Sequence, residues 1–534
     1  MRYGHLVSRR YIMANSIRTL LEQATQNAPN KIALIENEKQ LTYHELFTSV
    51  NQLANYFNQL DLKEGSRIGI YSNKDTQQVI AILALLSTPY IIVPITRFLK
   101  PEQVEYIIDN AGIETIITDK TKIKNIQKID FKGRIITFEP LDDKLVSFKE
   151  IYKCFNPNYT TQINPNSRAI ITYSFGSDGS QKGIVIPHKS LAEGARIVSK
   201  YLHLQQDDII SGLLSFNLDY GLNQIFCSLQ VGATLALHKF ILPSDFFAHL
   251  LRDRVTVLAM MPVHIGKMFD EDPHRLPTSS QLDHVRVITS SGGNITPKMV
   301  KKVDAYFKPA KFYSMHGLTE ALRTTYLDPS QIHIRPTSIG KAIPEVEVYI
   351  INEEGKACQP YEVGELIHRG CCIYQEYWNS PQESAKRFKP ITILEKVIPN
   401  IENPNEIVIA SGDYLYADEE GYLYLKGRID DMIKTNGYRV SPKEIEDVVR
   451  HNIEGVGQCA VFGIPNEEIE EEIVLIYSAK EKIPKNEIIF ELKKHLATYM
   501  IPTIIEYQEH LPLKASHHEE VDKRALKKRF EEII

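Results

Sequence analysis

The sequence predicts an α/β protein: a large amino-terminal domain of doubly covered sheets with a small β-barrel-like part, hinged to a small α+β carboxy-terminal domain. Three observations carry this. Short β-branched runs alternate with helix-period segments over most of the chain. At 534 residues the chain is too long for one hydrophobic core. Near Asp431 a charged break is followed by a turn and a fresh helix start, so a second domain begins there.

Taken in order, runs at 32–35, 67–71, 90–95, 115–118, 134–138 and 169–173 read as strands. Segments 43–60, 75–86 and 101–111 read as the helices between them. The last shows the logic: Pro101 opens it, Val104, Ile107, Ile108 and Ala111 make one apolar stripe, and Gly112 closes it. Strands alternating with helices imply parallel sheets covered on both faces. The pattern continues through strands at 255–261, 285–291 and 311–315. From Val346 to Leu425 the runs shorten and turn residues crowd in, which suggests an antiparallel or barrel-like part. Lys426, Arg428, Asp430 and Asp431 then interrupt the strand pattern. Asn436-Gly437 favours a two-residue hairpin turn, and Ser441-Pro442-Lys443-Glu444 reads as a capping box. Strands at 458–464 and 472–478 and a helix at 485–499 complete a compact unit. The domains expected are therefore 14–428 and 431–534, with the hinge near Asp430.

Charged residues at 24% and hydrophobic ones at 43% are ordinary globular values. A net charge of −5 offers no electrostatic ground for a nucleic-acid partner. The six cysteines show no paired metal spacing, and reduced thiols in a cytoplasmic protein are the plain reading. The first residues are basic but lack the apolar centre of a signal peptide, and Met13 is an alternative start. The longest apolar stretch, 79–95, is broken by Ser87, Thr88 and Pro89, so no membrane span is expected.

The segment from Ser174 to Gly183 follows a strand and packs glycines, hydroxyl residues and one lysine into ten positions. Glycine permits close backbone approach, hydroxyls and amides donate, and lysine supplies charge, so the segment suits an anion. A flexible surface hairpin is the other reading. No Gly-Lys-Ser/Thr occurs, which excludes a Walker loop.

This segment resembles the phosphate loop of the adenylate-forming superfamily, which includes acyl-CoA synthetases, luciferases and peptide-synthetase adenylation domains. Gly176, Ser177, Gly179, Lys182, Gly183 and His188 match the family pattern, with Ser174 at its head. Phe175, Asp178 and Gln181 depart from it, and Asp178 would place an anion beside a triphosphate. Tyr313 to Glu320 resembles the segment in which an aromatic stacks on adenine, a threonine contacts phosphate and a glutamate binds Mg²⁺. The resemblance assigns these roles to His316 (with Gly317), Thr319 and Glu320. Asp413 of Ser411-Gly412-Asp413, with Arg428, matches the ribose grip, and Gly292-Gly293 the glycine pair lining the adenine and acyl pocket. Lys434 matches a lysine that faces the site after domain rotation, and Gly437 lets a pantetheine arm pass. With Leu41-Thr42-Tyr43, which matches a structural position of the family, these stretches stand in the family's order from residue 41 to 446.

The resemblance implies an ATP- and Mg²⁺-dependent ligase that makes an acyl-adenylate and passes the acyl group to CoA or to the phosphopantetheine of a separate carrier protein. Counting back from Val231-Gly232-Ala233 places Asp219 on the aspartate that binds the α-amino group in amino-acid-activating members, and Asn217 on a histidine of acyl-activating ones. A buried carboxylate in an acid pocket needs a cation, which an ammonium supplies. Capping of a helix starting at Tyr220 is the alternative role for Asp219. Amino, acyl and aryl acids all stay open as substrates.

One departure bears on activity. Between Leu511-Pro512-Leu513 and Val521-Asp522, where members carry a lysine bridging carboxylate and nucleotide, Glu520 takes its place. Loss of one such preorganised contact costs about 10²–10³ in rate. Lys514 and Lys523 are the candidate substitutes. The alternative is an adenylation-impaired relative that binds nucleotide or acyl-adenylate and acts through a partner.

Overall fold

The structure is a computed structural model that describes residues 15–175, 181–269, 273–293, 295–428, 432–514 and 517–531. It is α/β. It has two large sheets, the nine-stranded one parallel in the middle and antiparallel at both edges, the eight-stranded one parallel except at one edge. The nine-stranded sheet holds Val257–Met260 between Val287–Ser290 and Ile209–Gly212, with Ala321–Leu327 turned antiparallel beside Lys311–Leu318. The eight-stranded sheet holds Arg67–Tyr71 between Ile91–Pro94 and Ile113–Thr118, and Arg168–Phe175 pairs antiparallel with Gln181–Pro187. The central strands are apolar on both faces because helices cover both.

The helices form where periodicity and caps agree. Helix Tyr43–Asn58 begins with a full capping box between Thr42 and Glu45, and Pro101–Ala111 ends at left-handed Gly112. Helices His188–Tyr201 and Asp219–Val231 pack on each other, burying Leu191, Ala195, Leu222 and Phe226 in one continuous core with Tyr43 and Phe57. Helix Asp219–Val231 starts one residue earlier than the sequence suggested. Leu218 is its cap residue, so Asp219 belongs to the first turn rather than capping from outside.

The stretch expected to be antiparallel or barrel-like is a five-stranded antiparallel sheet, including Val346–Ile351, Gly364–Gly370 and Ile407–Ala417, with Leu423–Arg428 paired to the last. Another five-stranded sheet follows, built on Val456–Asn466 and Glu470–Ala479. Helices Pro442–Asn452 and Lys485–His495 cover it around Ile445, Val449, Leu475 and Leu492. Asn436 and Gly437 make the turn of hairpin Ile433–Thr435/Tyr438–Val440, both with positive φ (52° and 75°), as a type I′ turn requires. The capping box at Ser441 is half made: its hydroxyl accepts from the Glu444 amide, but the Glu444 carboxyl accepts from Gln103 at 3.0 Å. Asp430, the expected hinge, lies outside the described residues.

Among the described residues no helix is long and apolar enough to cross a membrane.

Candidate active site

In both large sheets the carboxyl ends of the strands point at one cavity. From the nine-stranded sheet come Met261, Ser291, Gly292 and Gly293, each just past a parallel strand, and the loop Asn217–Asp219 beyond Ile209–Gly212. From the eight-stranded sheet come Pro94, Thr96, Thr172 and Ser174. Ligands of open α/β sheets bind where carboxyl ends converge, because loops there are free to vary while the sheet fixes their anchors.

Of the residues singled out in the sequence, Ser174, Asn217, Asp219, Gly292, Gly293, His316, Gly317, Thr319, Lys434 and Gly437 line this cavity together. Gly176, Ser177 and Gly179 lie outside the described residues, as does Asp178. Their flanking strands bracket the cavity, with Ser174 opposite Lys182 in the ladder. Lys182 donates from Nζ to Glu383 at 2.8 Å. His316 and Asp413 meet directly, with 3.2 Å between Nε2 and Oδ2, and both are buried. Arg428 faces Asp413 across the strand pairing, which puts the two expected ribose-gripping positions side by side; its side chain is outside the description. Glu320 is buried, and one of its carboxylate oxygens accepts from the Tyr377 hydroxyl.

His188 departs from its expected place. It opens helix His188–Tyr201, is 1% exposed and is not among the cavity-lining residues. Burial holds its imidazole neutral, with a pKa lowered to about 4. Lys523 is also elsewhere: its ammonium pairs with Glu446 at 2.6 Å. The side chains of Lys514 and Glu520 are outside the description, and Lys514 opens a short ladder of Leu513–Lys514 with His517–Val521.

The hairpin 433–440 covers one side of the cavity, bringing Lys434, Gly437, Tyr438 and Arg439 to its wall. Tyr438 stacks on Tyr499 at 4.0 Å. Glu470 accepts from the Gly437 amide at 2.8 Å, and Glu471 accepts from that of Lys434 at 2.7 Å. Neighbouring side chains approach both glycines here closely. A Cβ on Gly437 would meet the Met261 sulfur at 2.3 Å, and one on Gly293 would meet the Glu470 carboxyl at 2.3 Å. Burial pushes the Glu470 carboxyl up to about 7, against the pull of nearby Lys434.

The sequence reading missed the deepest charged group of the cavity. Arg323, 2% exposed, lies on strand Ala321–Leu327 and reaches Asp219 with an Nη1–Oδ2 distance of 3.4 Å. Its guanidinium lies over the Tyr220 ring at 4.5 Å. Asp219 thus has a cationic partner within the protein, although a third of its side chain (32%) still faces the cavity. Burial pushes the Asp219 carboxyl up and Arg323 opposes that shift. The available signal was a lone arginine inside the buried strand run Ala321–Thr325.

Comparisons with known proteins bear on the fold and the family. Gramicidin S synthase 1 of Brevibacillus brevis is 24% identical over 511 residues, covering 95% of this chain and 44% of that protein. Delta-poly-L-ornithine synthetase of Acinetobacter baumannii is 26% identical over 533 residues, 97% of this chain and 37% of that one. The chain therefore spans less than half the length of these relatives. In fold it matches the amide bond synthetase McbA of Marinactinospora thermotolerans, with a TM-score of 0.83 at 17% identity over 96% of this chain and 99% of that one. It also matches o-succinylbenzoate CoA synthetase (MenE) of Bacillus subtilis, with a TM-score of 0.79 at 22% identity over 95% and 98%. Residues 21–378 match the AMP-binding enzyme family, and the chain belongs to that family.

Proposed function

We propose that this protein activates a carboxylic acid with ATP as an acyl-adenylate and passes the acyl group to a thiol, either of CoA or of a separate carrier protein. The observation that carries the reading is one cavity walled by Ser174 at the head of the glycine loop, Gly292-Gly293, the 316–319 segment and the Lys434–Arg439 hairpin. ATP-bound structures are known for the similarly folded MatB of Rhodopseudomonas palustris, with a TM-score of 0.70 at 22% identity over 98% of this chain and 100% of that one.

In this proposal the glycine loop after Ser174, with Lys182, holds the phosphates, while Asp413 and Arg428 hold the ribose beside His316 and Gly317. Thr319 positions the α-phosphate under attack. Glu320 would hold Mg²⁺. A single protein carboxylate would suffice where phosphates and water fill the cation's other positions. Bound there, such a cation would supply positive charge beside the phosphates. The unit from 431 onward turns about Asp430 relative to 14–428, presenting the 514–520 loop for the first step and Lys434 for the second. Gly437 clears the way for a pantetheine arm. Rotation lets one intermediate meet two sets of groups in turn.

The Glu520 substitution favours a second reading, in which nucleotide or acyl-adenylate binds and a partner reads the result. Acid-dependent exchange of labelled pyrophosphate into ATP decides between them. Exchange above the acid-free background supports the ligase. No exchange with a broad acid panel, in protein shown to bind ATP, supports the binding role. No measurable ATP affinity would overturn both.

A further inference from the structure

We propose that Lys74 is a positioning residue for the acid: it stands outside the cavity lining, and its ammonium fixes the base of the loop that carries Asn217, Leu218 and Asp219 into the wall. The inference rests on the acid-activating reading above. In that reading the loop faces the acid, while the glycine loop, Asp413 and the 316–319 segment face the nucleotide.

Lys74 follows strand Arg67–Tyr71 of the eight-stranded sheet and precedes helix Thr76–Leu85, which Asp75 caps. It is partly buried, and its ammonium crosses to the other large sheet. There Nζ donates to the carbonyls of three consecutive residues: Gly212 at 2.6 Å, Leu213, and Leu214 at 3.3 Å. Gly212 ends strand Ile209–Gly212, and the buried Leu213 and Leu214 lead from it into the loop. The Gly212 carbonyl also accepts from the His238 amide at 3.4 Å. Among the described residues the carbonyls of Leu213 and Leu214 accept from Lys74 alone.

The residue type fits the task. Carbonyls just past a strand's end have left the ladder, and buried ones need another donor. An ammonium radiates three donors from one point, so it can serve neighbouring carbonyls together, whereas guanidinium and amide donors lie in a plane. Arg97 and Lys239, both cations, act on Lys74, and with burial they lower its pKa well below the ordinary lysine value. A cation in such surroundings is stabilised by the carbonyl oxygens that it gathers.

From base to tip the loop is packed rather than pliable. The Leu218 amide donates to the Ser215 carbonyl at 3.2 Å, and the Asn217 amide to the Ser215 hydroxyl at 3.4 Å. Ser215 lies so close to Gly221 that a Cβ there would strike its carbonyl, which presses the loop onto the start of helix Asp219–Val231. Phe216 is buried, with the Lys74 ammonium 5.7 Å from its ring centre. At the tip the Thr172 hydroxyl donates to the Asn217 carbonyl at 3.4 Å. The eight-stranded sheet thus grips this loop twice, through Lys74 at the base and Thr172 at the tip. A shift of the base carries Asn217, Leu218 and Asp219 with it. Gly292-Gly293 and the 316–319 segment belong to other strand ends and stay behind, so the effect falls on the acid and spares the nucleotide.

Pyrophosphate exchange with alanine, phenylalanine, aspartate, benzoate and hexanoate, followed by titration of the best of them, tests this. In Lys74→Met, kcat/KM for the acid should fall by about 10²-fold, the loss lying in KM, with kcat and the KM for ATP within about threefold. Lys74→Arg keeps the charge but spreads its donors, so its KM for the acid should lie between the two. A merely structural role would lower kcat through lost folded protein and leave the acid's KM alone. An unchanged KM for the acid in Lys74→Met, or equal rises for acid and ATP, would overturn the proposal. Should Lys74→Met fail to fold, Lys74→Arg is read in the same way, and failure of both to fold would overturn it too. If none of the acids supports exchange, the ligase reading fails on its own account, and Lys74 is read by amide hydrogen exchange in Lys74→Arg. Amides from Leu213 to Asp219 should then exchange faster than in the unaltered protein, with those of Val257–Met260 unchanged. Equal rates in the loop, or acceleration in both segments, would leave Lys74 as a general brace and overturn the positioning role.

Discussion

Single residues divide by what surrounds them, and the sequence shows that only in part. Asp219, Asn217, Thr319 and Lys434 were legible because the stretches that carry them resemble the family's segments, and all four reach the cavity. Arg323 was not, because nothing local separates a buried cation from an exposed one on a strand; burial depends on the neighbouring strand Lys311–Leu318 and helix Asp219–Val231. His188 shows the converse, a residue matching a motif whose ring is packed away from the cavity. Its folded pKa is depressed to about 4 by burial, so the unfolded chain binds the extra proton first as pH falls. Its contribution is therefore complete above the ordinary histidine value near 6.5 and is lost as pH falls toward about 4. Thermal melts of His188→Gln should accordingly show a smaller loss of Tm between those limits than the unaltered protein shows. An identical acid-side slope would remove His188 as a contributor.

At the scale of elements, positions follow from hydrogen-bonding demands more than from propensity. Strand Ile209–Gly212 is tied to helix Pro243–Asp253 through a chain in which His238 bonds Ser211 at 2.8 Å and Asp253 at 2.9 Å. The order Ser-His-Asp suggests a nucleophile. Yet Ser211 and His238 are at most 1% exposed, so the relay braces the sheet and does no acyl chemistry. The helix Lys523–Glu531 is placed the same way, with Lys523 on Glu446 and Lys527 near Glu471. That pairing predicts a clean split. Lys514→Ala should lower pyrophosphate exchange by about 10²-fold or more if it supplies the cation proposed for the first step. Lys523→Ala should leave exchange within about threefold and cost about 1 kcal/mol of stability, since buried Glu446 keeps its bonds from Arg450 and the Val461 amide. Exchange lost in Lys523→Ala and kept in Lys514→Ala would reverse the assignment. Strand and helix order was readable through periodicity and caps. The extension of the strand at 169–173 to Phe175 was not, because its partner Gln181–Pro187 lies beyond the loop.

For the whole molecule, the decisive arrangement is the seating of hairpin 433–440 over the ends of two sheets that belong to another part of the chain. Gln103 to Glu444, Phe98 against Tyr438 and Glu470 beside Gly293 make that seat. Burial pushes the Glu444 carboxyl up to about 8, so its contribution is complete at acid pH and declines as pH rises through that value. No sequence pattern announced these contacts, since they join segments far apart in the chain. Glu470 has a further property: it sits at φ 75°, a left-handed backbone that side chains other than glycine and asparagine adopt reluctantly. Replacing it with glycine should relax the backbone while releasing the amide of Gly437. The variant should melt higher, by roughly the equivalent of 0.5–1 kcal/mol, yet be slower in the proposed transfer to a thiol. A protein that tolerates heat better and works worse would mean that this glutamate is retained for grip at the expense of ruggedness.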